Sequence, residues 1–390
     1  MSLKILVIGA GIGGSTTALA LRRQGHEVLV FEKSRFAEEI GAAINIAPNC
    51  TRLLRRLGME PLEYQATVCE GLTHCTDSGE ITRSLSIWHG ESQAEKDWYL
   101  IHRAHLHTAL KDLATAEHGE GMPAKLFLGS RLVNLDPEAG EIELSTGEKF
   151  TGDLIVGADG VHSWSRFYVD PDARPFAAGK SCFRWLNPFS QLQGEELTKA
   201  YSELTGHIVE WAAPDRRMVY YPCANHTISN FAVFVPMDEV SGLSTGWTGA
   251  GSKPALLKAF ESFGPGPQKI LEQAPEEDLK LWTLLDMKPL DNWCKGRLAL
   301  LGDAAHPFMP FMGQGGAMAI EDAAALAALL RPGTASRDVP ERLKMYQECR
   351  QDRVDRIQEF TRKNGRDMGN VNLPRPSCKK SPKQDEVSQN

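Results

Sequence analysis

The sequence predicts an α/β fold in which a parallel, dinucleotide-binding sheet is interrupted by a mainly antiparallel sheet and closed by a long C-terminal helix. Three observations carry that prediction. The apolar run Ile5-Leu6-Val7-Ile8 leads straight into Gly9-Ala10-Gly11-Ile12-Gly13-Gly14. Far along the chain, Arg297-Leu298-Ala299-Leu300-Leu301 leads into Gly302-Asp303-Ala304-Ala305-His306-Pro307. Between them, residues 181–289 alternate short strand-like runs with tryptophans, prolines and glycines.

Each element has a local reason. A buried strand ends at Ile8, and the glycines Gly9, Gly11 and Gly14 permit a tight turn and close backbone approach to a pyrophosphate. A helix from near Gly13 to Gln24 aims its N–H groups at those phosphates and stops at Gly25. The strand Glu27–Phe31 then delivers Glu32, placed to accept both hydroxyls of an adenosine ribose. After a loop over 34–40, Ala42 and Ala43 open a strand running to Ile46, and Pro48 begins a helix ended by Gly58. Short strands and turns fill 65–98, a helix spans His102–Ala116 with Arg103 at its start, and strands follow near 125–128, 132–135, 141–144 and 149–150. Asp153–Val156 reads as another buried strand, ending in Gly157-Ala158-Asp159-Gly160. The parallel sheet resumes at Arg297–Leu301, followed by a helix over Ala317–Leu330 and a last one over Val339–Thr361, with Asp338 and Glu341 spaced as a capping box. The expected division is 1–180 and 290–370 for the nucleotide-binding part, 181–289 for a substrate domain to which 65–99 contributes, and a disordered tail over 371–390.

Composition narrows the class. A net charge of −7 offers no basic field for nucleic acid, and no stretch of eighteen apolar residues marks a membrane span. Met1–Lys4 runs directly into the first strand, leaving no room for a signal peptide, so a cytoplasmic protein, monomer or homodimer, is expected. The 8 cysteines are scattered without a Cys-x-x-Cys pair and read as reduced structural thiols. No metal is expected, and His102, His105 and His107 read as ordinary polar positions on a helix. The two glycine-containing segments together point to a flavin dinucleotide held at both ends.

These motifs resemble those of the class A flavoprotein monooxygenases, the para-hydroxybenzoate and salicylate hydroxylase family. The likeness covers nearly everything up to about residue 365 and rests on three motifs in order: the first glycine turn with Glu32, Asp153 through Ser163 ending in Arg166, and Gly302-Asp303 through Pro310 and Gly313-Gln314-Gly315-Gly316 to Glu321-Asp322. Residues 39–49 and Leu100-Ile101-His102-Arg103 are most similar to the salicylate-hydroxylase-like branch common in fungi. The resemblance implies a Rossmann-type FAD-binding domain with an inserted substrate sheet. It implies reduction of FAD by NADPH or NADH, addition of O2 to give a flavin C4a-hydroperoxide, and oxygen transfer to a small aromatic substrate, usually a phenol.

It also implies residue roles. Asp303 would accept hydrogen bonds from the ribityl chain, and Arg103 would reach the pyrophosphate and ribityl region. Gly315, Gly316 and Ala317 would aim a helix N-terminus at the reduced ring, stabilising its negative charge. Ala42 and Ala43 would let backbone pass close to the ring, Asp159 would lie near the pyrophosphate, and Pro310 would border the position where oxygen adds. Arg184 would pin a phenolate or carboxylate and Tyr221 relay its proton, with Tyr220 a rival because adjacent strand residues face opposite sides. Relatives acting on hydroxylated pyridines carry a histidine base where this chain has Asn45, so deprotonation falls to Tyr221, another group or solvent. Two other readings compete: a flavin-dependent epoxidase of a terpenoid or other alkene, and a non-catalytic scaffold of the same fold.

Overall fold

The computed structural model describes residues 2–35, 42–87, 97–243 and 250–366; most of the loop expected over 34–40 and the whole 371–390 tail lie outside them. A six-stranded sheet has the order Cys294–Lys295, Leu298–Leu300, Leu154–Gly157, Lys4–Ile8, Glu27–Phe31, Lys125–Phe127. All neighbours in it are parallel except the first pair. Its central strands are apolar on both faces because helices cover one face and the three-stranded sheet of Leu132–Asp136, Glu141–Leu144 and Lys149–Thr151 covers the other. The helices Ile12–Arg22 and Gly315–Leu329 pack on one another in the main core.

A seven-stranded sheet forms the second layer, in the order Lys280–Asp286, Phe176–Pro188, Ile228–Pro236, Arg217–Cys223, His207–Ala212, Gly71–Thr76, Ile81–Ser86. Five of its six pairings are antiparallel; in the sixth, Gly71–Thr76 runs parallel to His207–Ala212. Two strands from early in the chain therefore complete a sheet built mostly from residues after 175. Its outer face is sealed by helices, with Trp211, Tyr220, Phe231 and Phe260 buried between. Its other face looks toward the nucleotide-binding part.

Local boundaries differ from expectation in places. The helix after the Gly302 turn starts at Gly315, and the last helix runs from Val339 to Arg366. The anticipated capping box is not formed. Asp338 closes a short 3-10 turn and lies 3.6 Å from Arg337, while Glu341 lies 3.5 Å from Lys344. The 3-10 turn feeds directly into the helix, so side-chain capping is replaced by backbone continuity.

The two long C-terminal helices are joined by a buried charge network. Arg350 Nε donates to Asp322 Oδ1 at 2.7 Å and its Nη1 to Glu321 Oε2 at 2.6 Å. Burial raises both carboxyls, but Arg353 and Arg350 at Glu321, and His306 and Arg350 at Asp322, outweigh it and hold both below their ordinary values of 4.5 and 3.8. The stability they add is complete above those values and is lost as pH falls through the lower folded ones. Arg350→Met should cost about 3–5 kcal/mol near neutral pH by removing the cation shared by two buried carboxylates, which keep only Arg353 and His306 respectively. Urea unfolding across pH should show a flatter acid limb in the variant; an unchanged slope between about pH 5 and 3 would contradict the coupling.

Candidate flavin and substrate site

The dinucleotide turn is built by backbone crowding. Gly9 adopts φ +95°, and a Cβ on Gly14 would sit 1.9 Å from the Gly9 carbonyl oxygen. The helix that follows has no side-chain cap at Gly11, so its first N–H groups are left for a ligand. His107 Nε2 lies 2.5 Å from the Ala10 carbonyl, tying the turn to the helix Arg103–Thr115. Glu32 is held at its strand end by the N–H groups of Ala10 and Ser34, both at 2.8 Å.

The second and third motifs lock together through Arg166. This buried guanidinium donates to the carbonyls of Val161 at 3.0 Å, Asp303 at 2.8 Å and Ala304 at 2.7 Å. Asp303 lies deep in the molecule yet its side chain is open to the cavity. Burial pushes its carboxyl up, opposed by His306, Arg103 and Arg166. The Gly302 turn is in turn fixed by Asp322, whose Oδ2 accepts from Gly302 N at 3.1 Å and lies 2.7 Å from His306 Nε2. The helix Gly315–Leu329 again lacks a side-chain cap, and a Cβ on Gly316 would lie 2.6 Å from Ile44 Cδ1. Asn45 Nδ2 donates to the Gly313 carbonyl at 3.3 Å, bridging the strand Ala43–Ile46 to this segment.

One cavity of about 460 Å³ collects these parts. Of the residues singled out from sequence, Gly11, Ala43, Arg103, Asp303, Pro310, Gly315 and Gly316 line it, and so do Arg184 and Tyr221. Gly9, Gly14, Glu32, Ala42, Asp159 and Ala317 do not. Gly9 and Gly14 act as spacers, Ala42 accepts from Arg103 N at 2.8 Å, and Ala317 is buried in the helix core. Asp159 stands between Ala158 and Gly160, which both line the cavity. Its carboxylate is taken up by Ser163, Trp164 and Ser165, so it shapes the turn and does not face the cavity.

The seven-stranded sheet supplies the far wall, and strand alternation decides which residues do so. Register aligns Arg184 with Ala232, Ala232 with Val219, Val219 with Glu210 and Glu210 with His74. All five line the cavity, as do Tyr221, Arg217 and Phe234, each displaced by two positions on the same face. Tyr220 points the other way, packed on Phe231 at 5.3 Å. Burial pushes the Tyr221 phenol well up, with Arg184 pulling it down. Tyr221 is therefore a neutral hydrogen-bonding group at ordinary pH.

Sequence reading missed three residues of this wall. Glu210 lies 3.0 Å from Arg217 Nη1 and 3.0 Å from His74 Nδ1, with side-chain exposures of 16%, 4% and 13% respectively for Glu210, Arg217 and His74. Burial raises the Glu210 carboxyl, but His74 and Arg217 outweigh it and hold it below the usual range. No local motif marks them; the hairpin of 207–212 with 217–223 sets Arg217 beside Glu210, and the parallel pairing of 71–76 with 207–212 brings His74 to them.

Two uncapped helix N-termini and an open carboxyl around one cavity define a dinucleotide-binding α/β protein whose second sheet walls a small-molecule site. The sequence profile of the FAD binding domain matches residues 2–361. FAD-dependent monooxygenase cfoG of Aspergillus candidus is 35% identical over 367 residues, covering 91% of this chain and 84% of that protein. Hispidin-3-hydroxylase of Neonothopanus nambi is 33% identical over 371 residues, covering 91% and 86%. The crystal structure of Klebsiella pneumoniae HpxO complexed with FAD and uric acid aligns with a TM-score of 0.79 at 25% identity, covering 95% of this chain and 90% of that one. The chain belongs to this FAD-binding family, the class A flavoprotein monooxygenases. Among the described residues no helix is long and apolar enough to cross a membrane.

The cavity fits FAD: Gly11, Gly13, Gly315 and Gly316 present bare backbone to it, two helix N-termini are left for anionic groups, and Asp303 lines it between them. Asp303→Ala should lower FAD affinity at least about tenfold, the worth of a hydrogen bond to a charged group. Flavin absorbance of the purified variant reads this directly, and a fully yellow protein after dialysis would refute it.

Proposed function

We propose that this monooxygenase consumes NADPH or NADH and hydroxylates a phenol or aromatic acid held between Arg184, Tyr221 and the flavin. The observation that carries this reading is the placement of Arg184 and Tyr221 on the one sheet face that opens into the cavity lined by Asp303, Pro310 and Gly315. Bound FAD supplies electron acceptance from the nicotinamide and activation of O2.

The chain's own residues do the rest. Arg184 is a fixed cation on a sheet face, suited to a phenolate or carboxylate through charge-assisted hydrogen bonds. Tyr221, neutral in its buried position, accepts the proton of the substrate hydroxyl as it passes its own to water, and then donates a hydrogen bond to the substrate oxygen, ending as neutral as it began. Phe234 and Phe311, with ring centroids 5.1 Å apart, close the apolar side and exclude water from the reacting carbon. The N-terminus of the Gly315–Leu329 helix stabilises negative charge on the reduced ring. The name of hispidin-3-hydroxylase, a relative acting on hispidin, supports an aromatic acceptor.

NADPH and NADH oxidation by the purified protein, followed with a panel of phenols and phenolic acids while peroxide is measured, tests the reading. A coupled hydroxylase gives strong stimulation by one compound with little peroxide. Arg184→Ala should then reduce that stimulation about ten- to hundredfold at unchanged FAD content. Stimulation by alkenes and by no phenol would reject the proposal.

A further inference from the structure

The end of the C-terminal helix Val339–Arg366 is fastened to the segment that carries Pro310. Gln358 Nε2 donates to the Pro307 carbonyl at 2.9 Å, Thr361 Oγ1 to the Met309 carbonyl at 2.8 Å, and Asn364 Nδ2 to Met312 Sδ. Their spacing puts these side chains on one helix face, and Gly365 lies on that face too, buried. The edge of the Phe311 ring packs directly on Gly365. A Cβ there would lie 2.5 Å from Phe311 Cε2 and 2.7 Å from Cδ2, closer than any real methyl can approach. The same ring reaches the seven-stranded sheet, where it packs with Phe234 and Ala232. Ala232 pairs with Arg184, and Phe311, Phe234, Ala232 and Arg184 all line the cavity. One aromatic ring therefore spans from the helix end to the wall that carries the substrate-side arginine.

We propose that Gly365 and Phe311 together set the width of the substrate chamber: the bare backbone at 365 lets the Phe311 ring sit back on the helix, and the ring's position fixes how broad an aromatic substrate can enter. The proposal rests on the phenol-hydroxylase reading above and adds the residue pair that selects among phenols by size. A methyl group at 365 must displace either the helix or the ring. The helix is pinned by the three hydrogen bonds to 307–312 and by the two-pronged pair of Arg362 with Asp286, both contacts at 2.8 Å. The ring lines an open cavity, so it is the ring that yields, and it yields into the chamber. Phe311 is a specificity-determining residue, and Gly365 a positioning residue behind it.

Equilibrium binding to the full-length, FAD-loaded protein tests this, read from perturbation of flavin absorbance in the absence of nicotinamide. The probes are phenol and the broader 1-naphthol, and the quantity read is the ratio of their affinities. Gly365→Ala should weaken 1-naphthol about tenfold and phenol no more than about twofold, at unchanged FAD content. Phe311→Ala should shift the ratio about tenfold the other way, toward 1-naphthol. With the ring gone, adding Gly365→Ala should change either affinity by less than about twofold, because the methyl then has nothing to push. An unchanged ratio in Gly365→Ala, an equal loss of both probes, or the same effect of Gly365→Ala with and without Phe311 would each overturn the proposal. If Gly365→Ala does not fold, the double variant should fold and bind as Phe311→Ala does, and a Phe311→Ala ratio equal to that of wild type would overturn the proposal without it. If neither probe perturbs the flavin of wild type or of Phe311→Ala, the phenol-hydroxylase reading itself falls, and the width rule with it.

Discussion

Asp322 is the point on which the flavin side of the molecule depends. It is fully buried on the helix Gly315–Leu329, and its two oxygens serve the Gly302 N–H, His306 and Arg350. That single carboxylate holds the turn carrying Asp303 against the helix whose N-terminus faces the cavity. Glu321 beside it extends the tie through Asn49, at 2.7 Å, to the helix Pro48–Arg56. A charge so deeply buried is tolerated only because every acceptor has a donor. The cavity edge that carries Gly302, Asp303, Gly315 and Gly316 is thus held by this buried network.

Arg166 does the corresponding work from the other side. Its guanidinium spans carbonyls from two motifs far apart in sequence and so ties the Asp159 turn to the Gly302 turn. Against that rigid half stands a sheet whose inward face is fixed by register. Alternation makes the wall all or nothing: a slip of one residue would exchange Tyr221 for Tyr220 and bury Arg184 in the outer core. Rigid elements on both sides fix the two walls of the cavity against one another.

How much of this was legible in the sequence depends on the range of each interaction. The strand–glycine–helix turn at Gly9–Gly14 is local, and the sequence predicts its strand and helix within a residue or two. The Gly302-Asp303 turn and the helix at Gly315 are legible for the same reason. Tyr221 and Tyr220 could not be separated, because alternation says only that they face opposite ways, and the packing of Phe231 decides which way is out. Asp159 reads as a ligand contact when motifs are compared, yet three local donors claim its carboxylate. The contact of His74 with Glu210 and Arg217 was invisible, since it arises from a parallel pairing between distant segments. Asp322 was visible as part of a motif, but its buried partner Arg350 carries no local signal.

A crystal structure of the FAD-loaded enzyme with a bound phenolic inhibitor tests the central claim most directly: that one sheet face and two helix N-termini enclose a single flavin-and-phenol chamber. The phenol ring should lie between that face and the Pro310–Ala317 segment, with its oxygen in hydrogen-bond reach of Arg184 or Tyr221. An inhibitor bound outside the chamber, or a flavin ring lying away from Gly315 and Gly316, would contradict it.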